Sequence, residues 1–312
     1  MAKCPLCGHT HVLSIDSISK DVLRNVYLKQ YNTDIGNLVT EDLELYHCAN
    51  CDLKFFDPMP TGDQNFYADL QKFDWYYKDD KFEYNYVLPW IKKNSKVLEV
   101  GCGKGAFSSL LKTKDYTGIE FSESARDTGR GLGRNIITES IERHAEKNKE
   151  KYDVVCSFQV LEHTSDPKSF IQGCTDALKP GGTLILTTPA EDSFLQHIQD
   201  FTLNMPPHHV TKWTDKCLIN LEEEFNIKCT HLYHEPLNSF HIPWFFTSMA
   251  VYQLNKRLGI SHSALMRPRH WISHVIANLM FKLVGKNYPD AYKGHGHTVI
   301  AVYKKSANGH PK

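Results

Sequence analysis

The chain has 312 residues, enough for one large domain or a main domain with an appendage, and its 41% apolar and 23% charged residues are ordinary for a globular protein. Lys plus Arg equals Asp plus Glu at 36 each, so nothing in the charge suggests a nucleic-acid partner. The start MAKCPLCGHTH has no apolar signal region, and no run of about 18 apolar residues follows, so a cytoplasmic protein without a transmembrane helix is expected.

Four of nine cysteines stand in two C-x-x-C pairs, Cys4 with Cys7 and Cys48 with Cys51. Two residues between cysteines let both thiolates of a tight turn face one cation, and two such turns make a tetrahedral four-sulfur site that suits zinc. With all positions filled by sulfur, that zinc is expected to be structural. The spacer contains a predicted helix (SKDVLRNVYLKQY) and strand (LELYHC), so residues 1–57 read as a small zinc-ribbon-like module. Residues 58–94 follow as an aromatic helical linker, opened by Pro58, Pro60 and Gly62. Tyr76, Tyr77, Tyr84 and Tyr86 either pack against the next domain or line a ligand as a lid.

From Ser95 the pattern alternates. Strand-like runs KVLEV, DYTGIEF, NIITE, YDVVCSF and GTLILTTP are separated by helical stretches at Ala106–Lys114, Glu123–Gly131, Ile141–Lys149 and Pro167–Leu178. Two further strands, FNIKCTHLY and HTVIAVYKK, come late. This predicts an α/β domain over 95–312 with a doubly wound, seven-stranded, mostly parallel sheet and a ligand crevice at the C-terminal strand ends. The loop after the first strand, VLEVGCGKGAF, brings backbone close to a ligand through Gly101, Gly103 and Gly105. Glu120, at the end of the second strand, can accept hydrogen bonds from ribose hydroxyls, which fits a dinucleotide or any adenosine ligand. Glu99 lies inside the first strand, two residues before the first glycine. A carboxylate there opposes a pyrophosphate and suits a ligand with a positive group, or it caps the loop amides.

These segments together resemble the class I S-adenosylmethionine-dependent methyltransferases. VLEVGCGKGAFSSLL resembles their motif I, GIEFS the second-strand acidic motif, YDVVCSFQVLEHTSDP the fourth-strand segment and LKPGGTLILTTP the fifth, covering residues 95–189 in the family's order. The resemblance implies S-adenosylmethionine as cofactor. Gly101, Gly103 and Gly105 would pass under it, Glu99 would lie near the methionine amine and Glu120 on the ribose. Phe121 would lie on the adenine face, Glu139 and Ser140 near the adenine edge, and Phe158 and Gln159 on the methionine side. A four-cysteine module before such a domain resembles the zinc-containing methyltransferases of sugar, polysaccharide and secondary-metabolite tailoring. Some of those methylate a sugar carbon and carry a large third domain. Only about 80 residues follow the sixth strand here, so O-methylation of a small-molecule or sugar-like acceptor is expected, ahead of C-methylation of a keto-sugar nucleotide. The rivals from other classes are an NAD-dependent oxidoreductase and a non-catalytic zinc-containing scaffold.

Methyl transfer to a hydroxyl needs an aligned nucleophile and a proton acceptor. His208 and His209 in NMPPHHVTKWT, with a pKa near neutrality, are the leading candidates, His208 ahead of His209 as the base; if only one acts, alternation predicts that the other packs inward. His163 in LEHTSDP is another candidate, and Tyr233, His234 and Glu235 are runners-up. The insert 237–294 reads as two helices, FHIPWFFTSMAVYQLNKRLG and HWISHVIANLMFKLVGKNY, expected to serve as a substrate cap, a homodimer interface or a weak interfacial membrane contact.

Overall fold

The computed structural model describes residues 2–73, 76, 79–198, 201–259, 275–277, 279–281 and 295–307. The N-terminal segment is an antiparallel meander of β1 (Val12–Ile18), β2 (Leu43–Cys48) and β3 (Lys54–Asp57). Between β1 and β2 runs α1 (Lys20–Tyr31), where the sequence predicts a helix. The Ser19 hydroxyl caps it by accepting from the Asp21 N–H, and Asn32 ends it in the left-handed region at φ 54°. Leu23 and Tyr27 of α1 are fully buried against Leu43, Leu45 and Phe56. Residues 58–94 supply two short helices, α2 (Gln64–Leu70) and α3 (Phe82–Val87).

The following elements are β4 (Val97–Val100), β5 (Tyr116–Ile119), α4 (Glu123–Gly131), β6 (Ile136–Ile137), α5 (Ile141–Lys147), β7 (Tyr152–Phe158), α6 (Pro167–Ala177), β8 (Leu178–Pro189), β9 (Thr211–Lys212), α7 (Asp215–Glu224), β10 (Ile227–Pro236), α8 (Ile242–Arg257) and β11 (His295–Lys305). Seven of the strands form one sheet in the order β10-β11-β8-β7-β4-β5-β6. β4, β5, β6, β7 and β8 run parallel, and β11 is antiparallel to both its neighbours. Every residue of β4 is buried, as expected for a strand covered on both faces. The sheet thus has the doubly wound, mostly parallel arrangement expected from the alternating pattern.

β9 does not join that sheet. It pairs with β3 and becomes the fourth strand of the N-terminal meander. One apolar cluster runs from Cys4, Leu6, Cys48, Cys51 and Phe55 into Leu98, Val155, Leu186 and Trp213, so the cysteine segment and the large sheet share a core.

Three local readings change. The stretch expected to be helical from Ala106 to Lys114 is only a 3-10 turn, Ala106–Leu110. There the Ser108 and Ser109 hydroxyls each donate at 2.7 Å to a carbonyl three residues back, and Leu111 turns extended. The third strand of the domain, β6, is two residues long, because it pairs at the edge of the sheet with β5 alone. β8 starts at Leu178, earlier than GTLILTTP suggests. α8 is the first helix of the insert. Most of HWISHVIANLMFKLVGKNY, and Tyr77 of the lid candidates, lie outside the described residues. Among the described residues, no helix is long and apolar enough to cross a membrane.

Candidate functional site

The chain leaves β4 toward β5 and β6 on one side and returns to β7 and β8 on the other. At that switch point, over the C-terminal ends of β4, β5 and β7, lies a cavity of about 1730 Å³. A single small-molecule site occupies roughly 300–1,000 Å³, so this space exceeds what one such ligand fills.

The glycine loop forms the cavity floor. Gly101 has φ 73° and its N–H donates to Ile119 O at 2.9 Å. A Cβ at this position would come within 2.4 Å of Val160 Cγ2. Glycine is therefore required both for the left-handed conformation and for the close approach of the segment after β7. The Gly103 N–H donates to Glu120 Oε2 at 2.7 Å, and the Ser122 N–H to Glu120 Oε1 at 2.7 Å. Each oxygen of Glu120 is thus fixed by one backbone amide and keeps a lone pair for a hydroxyl. Phe121 follows, 58% exposed at the cavity edge. Ser140, Phe158 and Gln159 line the same space. Gln159 sits at φ 58°, a costly conformation for a residue with a side chain. Its buried Nε2 has no hydrogen-bond partner among the described residues.

Three of the residues expected at the cofactor do not line the cavity. Gly105, at φ 75°, turns the chain into the 3-10 segment. Glu139 pairs with His144 Nδ1 at 2.6 Å. Glu99 is 1% exposed and lies beneath the loop, accepting the Tyr116 hydroxyl at 2.5 Å. Burial pushes its carboxyl up to about 8, against the pull of that hydrogen bond.

The cavity also carries a histidine cluster. His163 follows β7, and His208 and His209 precede β9; all three line the cavity. The rings of His208 and His209 stack at 4.4 Å, and His163 meets them edge-on at 4.5 and 4.9 Å. His208 and His209 are both buried, in a tight turn in which both N–H groups donate to Met205 O. The expectation of near-neutral pKa values changes. Burial lowers His163 to about 4, and it holds His208 and His209 well below the ordinary imidazole range. The tautomers follow from the partners: Nδ1 of His163 donates to His208 O at 2.5 Å and Nδ1 of His208 to Leu203 O at 2.8 Å, while Nδ1 of His209 faces Asn204 Oδ1 at 3.1 Å. The Nε2 atoms are then acceptors, and that of His208 is taken by the Tyr76 hydroxyl at 3.1 Å.

Glu162 is the residue that sequence reading passed over. It is 1% exposed, lines the cavity, and lies 3.9 Å from His163 Nε2 and 4.0 Å from His209 Nε2. Its only signal was its place before His163 in LEHTSDP. Of the runners-up, Glu235 lines the cavity and accepts from the His297 and Thr298 N–H groups at 3.1 Å each. His234 turns instead to Asp215, and Tyr233 stacks on Tyr86 at 4.3 Å. Of the lid candidates, Tyr76 lines the cavity and Tyr84 is buried between Phe107 and Phe158. The N-terminal end of α8 reaches the rim through Pro243 and Trp244.

Far from the cavity, the four paired cysteines converge. Cys4 Sγ lies 3.5 Å from Cys51 Sγ and Cys7 Sγ 3.6 Å from Cys48 Sγ, and all four sulfurs are within 4.8 Å of one another. Tetrahedral zinc with Zn–S bonds of about 2.3 Å requires sulfurs about 3.8 Å apart, so the donor set fits.

A methyltransferase-domain family model matches residues 72–232, more than half of the chain. The ubiquinone biosynthesis O-methyltransferase of Shewanella sp. (strain ANA-3) is 35% identical over 124 residues, which are 36% of this chain and 52% of that protein. The protein of the same description from Erwinia tasmaniensis is 28% identical over 177 residues, 49% of this chain and 73% of that protein. The chain thus spans about half the length of the first of these relatives. Among solved structures, a SAM-dependent methyltransferase from Archaeoglobus fulgidus is 16% identical, with a TM-score of 0.46 over 72% of this chain and 91% of that one.

Proposed function

The chain belongs to the methyltransferase-domain family, and on that premise we propose that it moves a methyl group from S-adenosylmethionine to a hydroxyl of a small-molecule or sugar-like acceptor. The observation that carries the reading is Glu120, held by the Gly103 and Ser122 amides at the mouth of a cavity large enough for donor and acceptor together. The adenosine part of the donor lies along Gly101, Gly103, Glu120, Phe121 and Ser140, with its methionine end toward Phe158 and Gln159. The Gln159 amide donates to the donor's carboxylate, and Glu99 supplies charge for its ammonium from below the loop. The relatives named as O-methyltransferases support oxygen as the acceptor atom.

The reaction is a displacement at a carbon already activated by sulfonium. An acceptor oxygen bonds to the methyl carbon, the carbon–sulfur bond breaks with its electron pair staying on sulfur, and the hydroxyl proton leaves. His163, His209 and Glu162 face the acceptor half with lone pairs and are placed to receive that proton; His208, committed to Tyr76, positions its neighbour. Residues 1–57 hold a structural zinc ion through Cys4, Cys7, Cys48 and Cys51, residues 58–94 cover the cavity, and the start of the insert caps its acceptor side. Calorimetry with S-adenosylhomocysteine and with NADH tests the reading. Binding of the homocysteine, abolished in Glu120→Ala, is expected; NADH binding without it would sink the proposal.

A further inference from the structure

Three atoms in the acceptor half of the cavity face one another with nothing but lone pairs. His163 and His209 each direct Nδ1 to an oxygen, at 2.5 Å to His208 O and 3.1 Å to Asn204 Oδ1, so each Nε2 is left as an acceptor. Both Nε2 atoms approach Glu162 Oε1, at 3.9 and 4.0 Å, too far for hydrogen bonds. Neither oxygen of Glu162 has a hydrogen-bond partner among the described residues, although the residue is 1% exposed. A buried carboxylate in that state is costly. A proton on Glu162 would satisfy one contact at most, and not at these distances. A cation between the three atoms satisfies all of them.

We propose that Glu162, His163 and His209 form a metal centre for a divalent transition-metal ion of the zinc type, separate from the four-cysteine site. Two imidazole nitrogens and one carboxylate are donors for zinc, iron, cobalt or nickel, whereas magnesium and calcium take oxygen. The outer partners of such a centre are already in place, since each ligating ring has its other nitrogen bonded. Donors about 2.0–2.1 Å from a tetrahedral metal sit about 3.4 Å apart, so the site must close by roughly 0.5 Å. Glu162, tied by no side-chain hydrogen bond, is the member free to move. The backbone around it is fixed: the Val210 N–H donates to Glu162 O at 2.9 Å, which locks the turn after β7 to the turn before β9. A ring nitrogen of His208 lies within 4.8 Å of those of the other two histidines, but both its nitrogens are engaged, by Leu203 O and by the Tyr76 hydroxyl, so the fourth position is left to a ligand in the cavity. The centre opens onto the cavity; with a cation bound its three donors no longer take the hydroxyl proton, and the cation would instead acidify the acceptor hydroxyl so that its proton passes to water. That role rests on the methyl-transfer reading; occupancy of the centre does not.

The test is titration with Co²⁺ of the chain holding a single zinc ion in its four-cysteine site, followed by visible absorption. The expected result is one Co²⁺ per chain with a d–d spectrum and no thiolate charge-transfer band, which separates this centre from the cysteines. Glu162→Gln and His209→Asn should each weaken it by more than the roughly 10–100-fold that loss of an outer partner costs, with circular dichroism unchanged. Absence of such a band in the wild-type chain, or equal affinity in both variants, would overturn the proposal. Cobalt binding without S-adenosylhomocysteine binding would overturn the methyl-transfer reading and leave this one standing; homocysteine binding without cobalt would do the reverse.

Discussion

Glu99→Gln should make the protein more stable and worse at binding its cofactor. Glu99 is 1% exposed, and burial raises its carboxyl to about 8 from 4.5, with the Tyr116 hydrogen bond pulling the other way. An acid whose pKa is raised by folding costs nothing below its unfolded value. Its contribution is lost progressively as pH rises from 4.5 toward 8, at about 1.4 kcal/mol per unit. At pH 7.5 that is a loss of about 4 kcal/mol in the ligand-free protein. Glutamine stays neutral and its amide oxygen can still accept the Tyr116 hydroxyl. The variant should therefore match the wild type near pH 4.5 and exceed it by about 4 kcal/mol at pH 7.5, or roughly 8 °C in melting temperature. Scanning calorimetry at pH 5, 6, 7 and 8 reads this as a difference that grows with pH. A difference that does not change with pH would refute the buried-acid argument. In the same variant, S-adenosylhomocysteine should bind about tenfold more weakly at pH 7, because a neutral amide cannot ionise to face the ligand's ammonium across the loop. A gain in stability with unchanged affinity would make Glu99 a structural residue only.

Gly101→Ala should weaken S-adenosylhomocysteine binding at least about tenfold by calorimetry, since it adds strain of about 1 kcal/mol at φ 73° to a contact with Val160. Adding Val160→Ala relieves the contact but not the strain, so it should restore binding only in part. Glu191 is buried with Lys54 at 2.9 Å and Lys212 at 3.9 Å, and Lys212 is itself buried. Glu191→Ala leaves that ammonium uncompensated and should cost about 3 kcal/mol in denaturant unfolding; an unchanged midpoint would show that Lys212 finds water. Cys48→Ser should reduce zinc per chain in elemental analysis and lower the melting temperature, and full zinc content in the variant would exclude the four-thiolate site.

The strands of the large sheet were legible because each is a short apolar run between polar helices, and β7 matches YDVVCSF residue for residue. The 3-10 turn at Ala106–Leu110 was not legible, because the competition of Ser108 and Ser109 with the helix is a local hydrogen-bond choice that periodicity does not report. For the candidate site, the glycine loop and Glu120 are local in sequence, and they lie together in space. Glu162 was missed for the opposite reason. A glutamate in a polar turn reads as solvated, and only the packing of a loop 45 residues later buries it against His163 and His209. The low pKa of His208 likewise depends on burial, with Phe66 and Tyr67 of α2 packed against its ring, which its own segment does not announce.

β9 pairing with β3 bears on why a cysteine module precedes such a domain. Lys54 and Phe55, three and four residues after Cys51, pair with Lys212 and Thr211, three and two residues after His209. The Phe56 N–H donates to Val210 O at 3.0 Å and the Gly62 N–H to Pro207 O at 2.9 Å. The Tyr27 hydroxyl, from α1, reaches Thr202 O and Met205 O at 3.1 and 3.0 Å. Asp52, next to Cys51, accepts the Thr214 hydroxyl that caps α7. The loop carrying His208 and His209 is therefore anchored on both sides by residues whose positions the four cysteines fix. An isolated loop of this length would sample many arrangements, and a proton acceptor must be held to within a fraction of an ångström to act. On the proposed function, the module would clamp the part of the cavity that carries the histidines, and loss of zinc would loosen that loop through two β-bridge pairs.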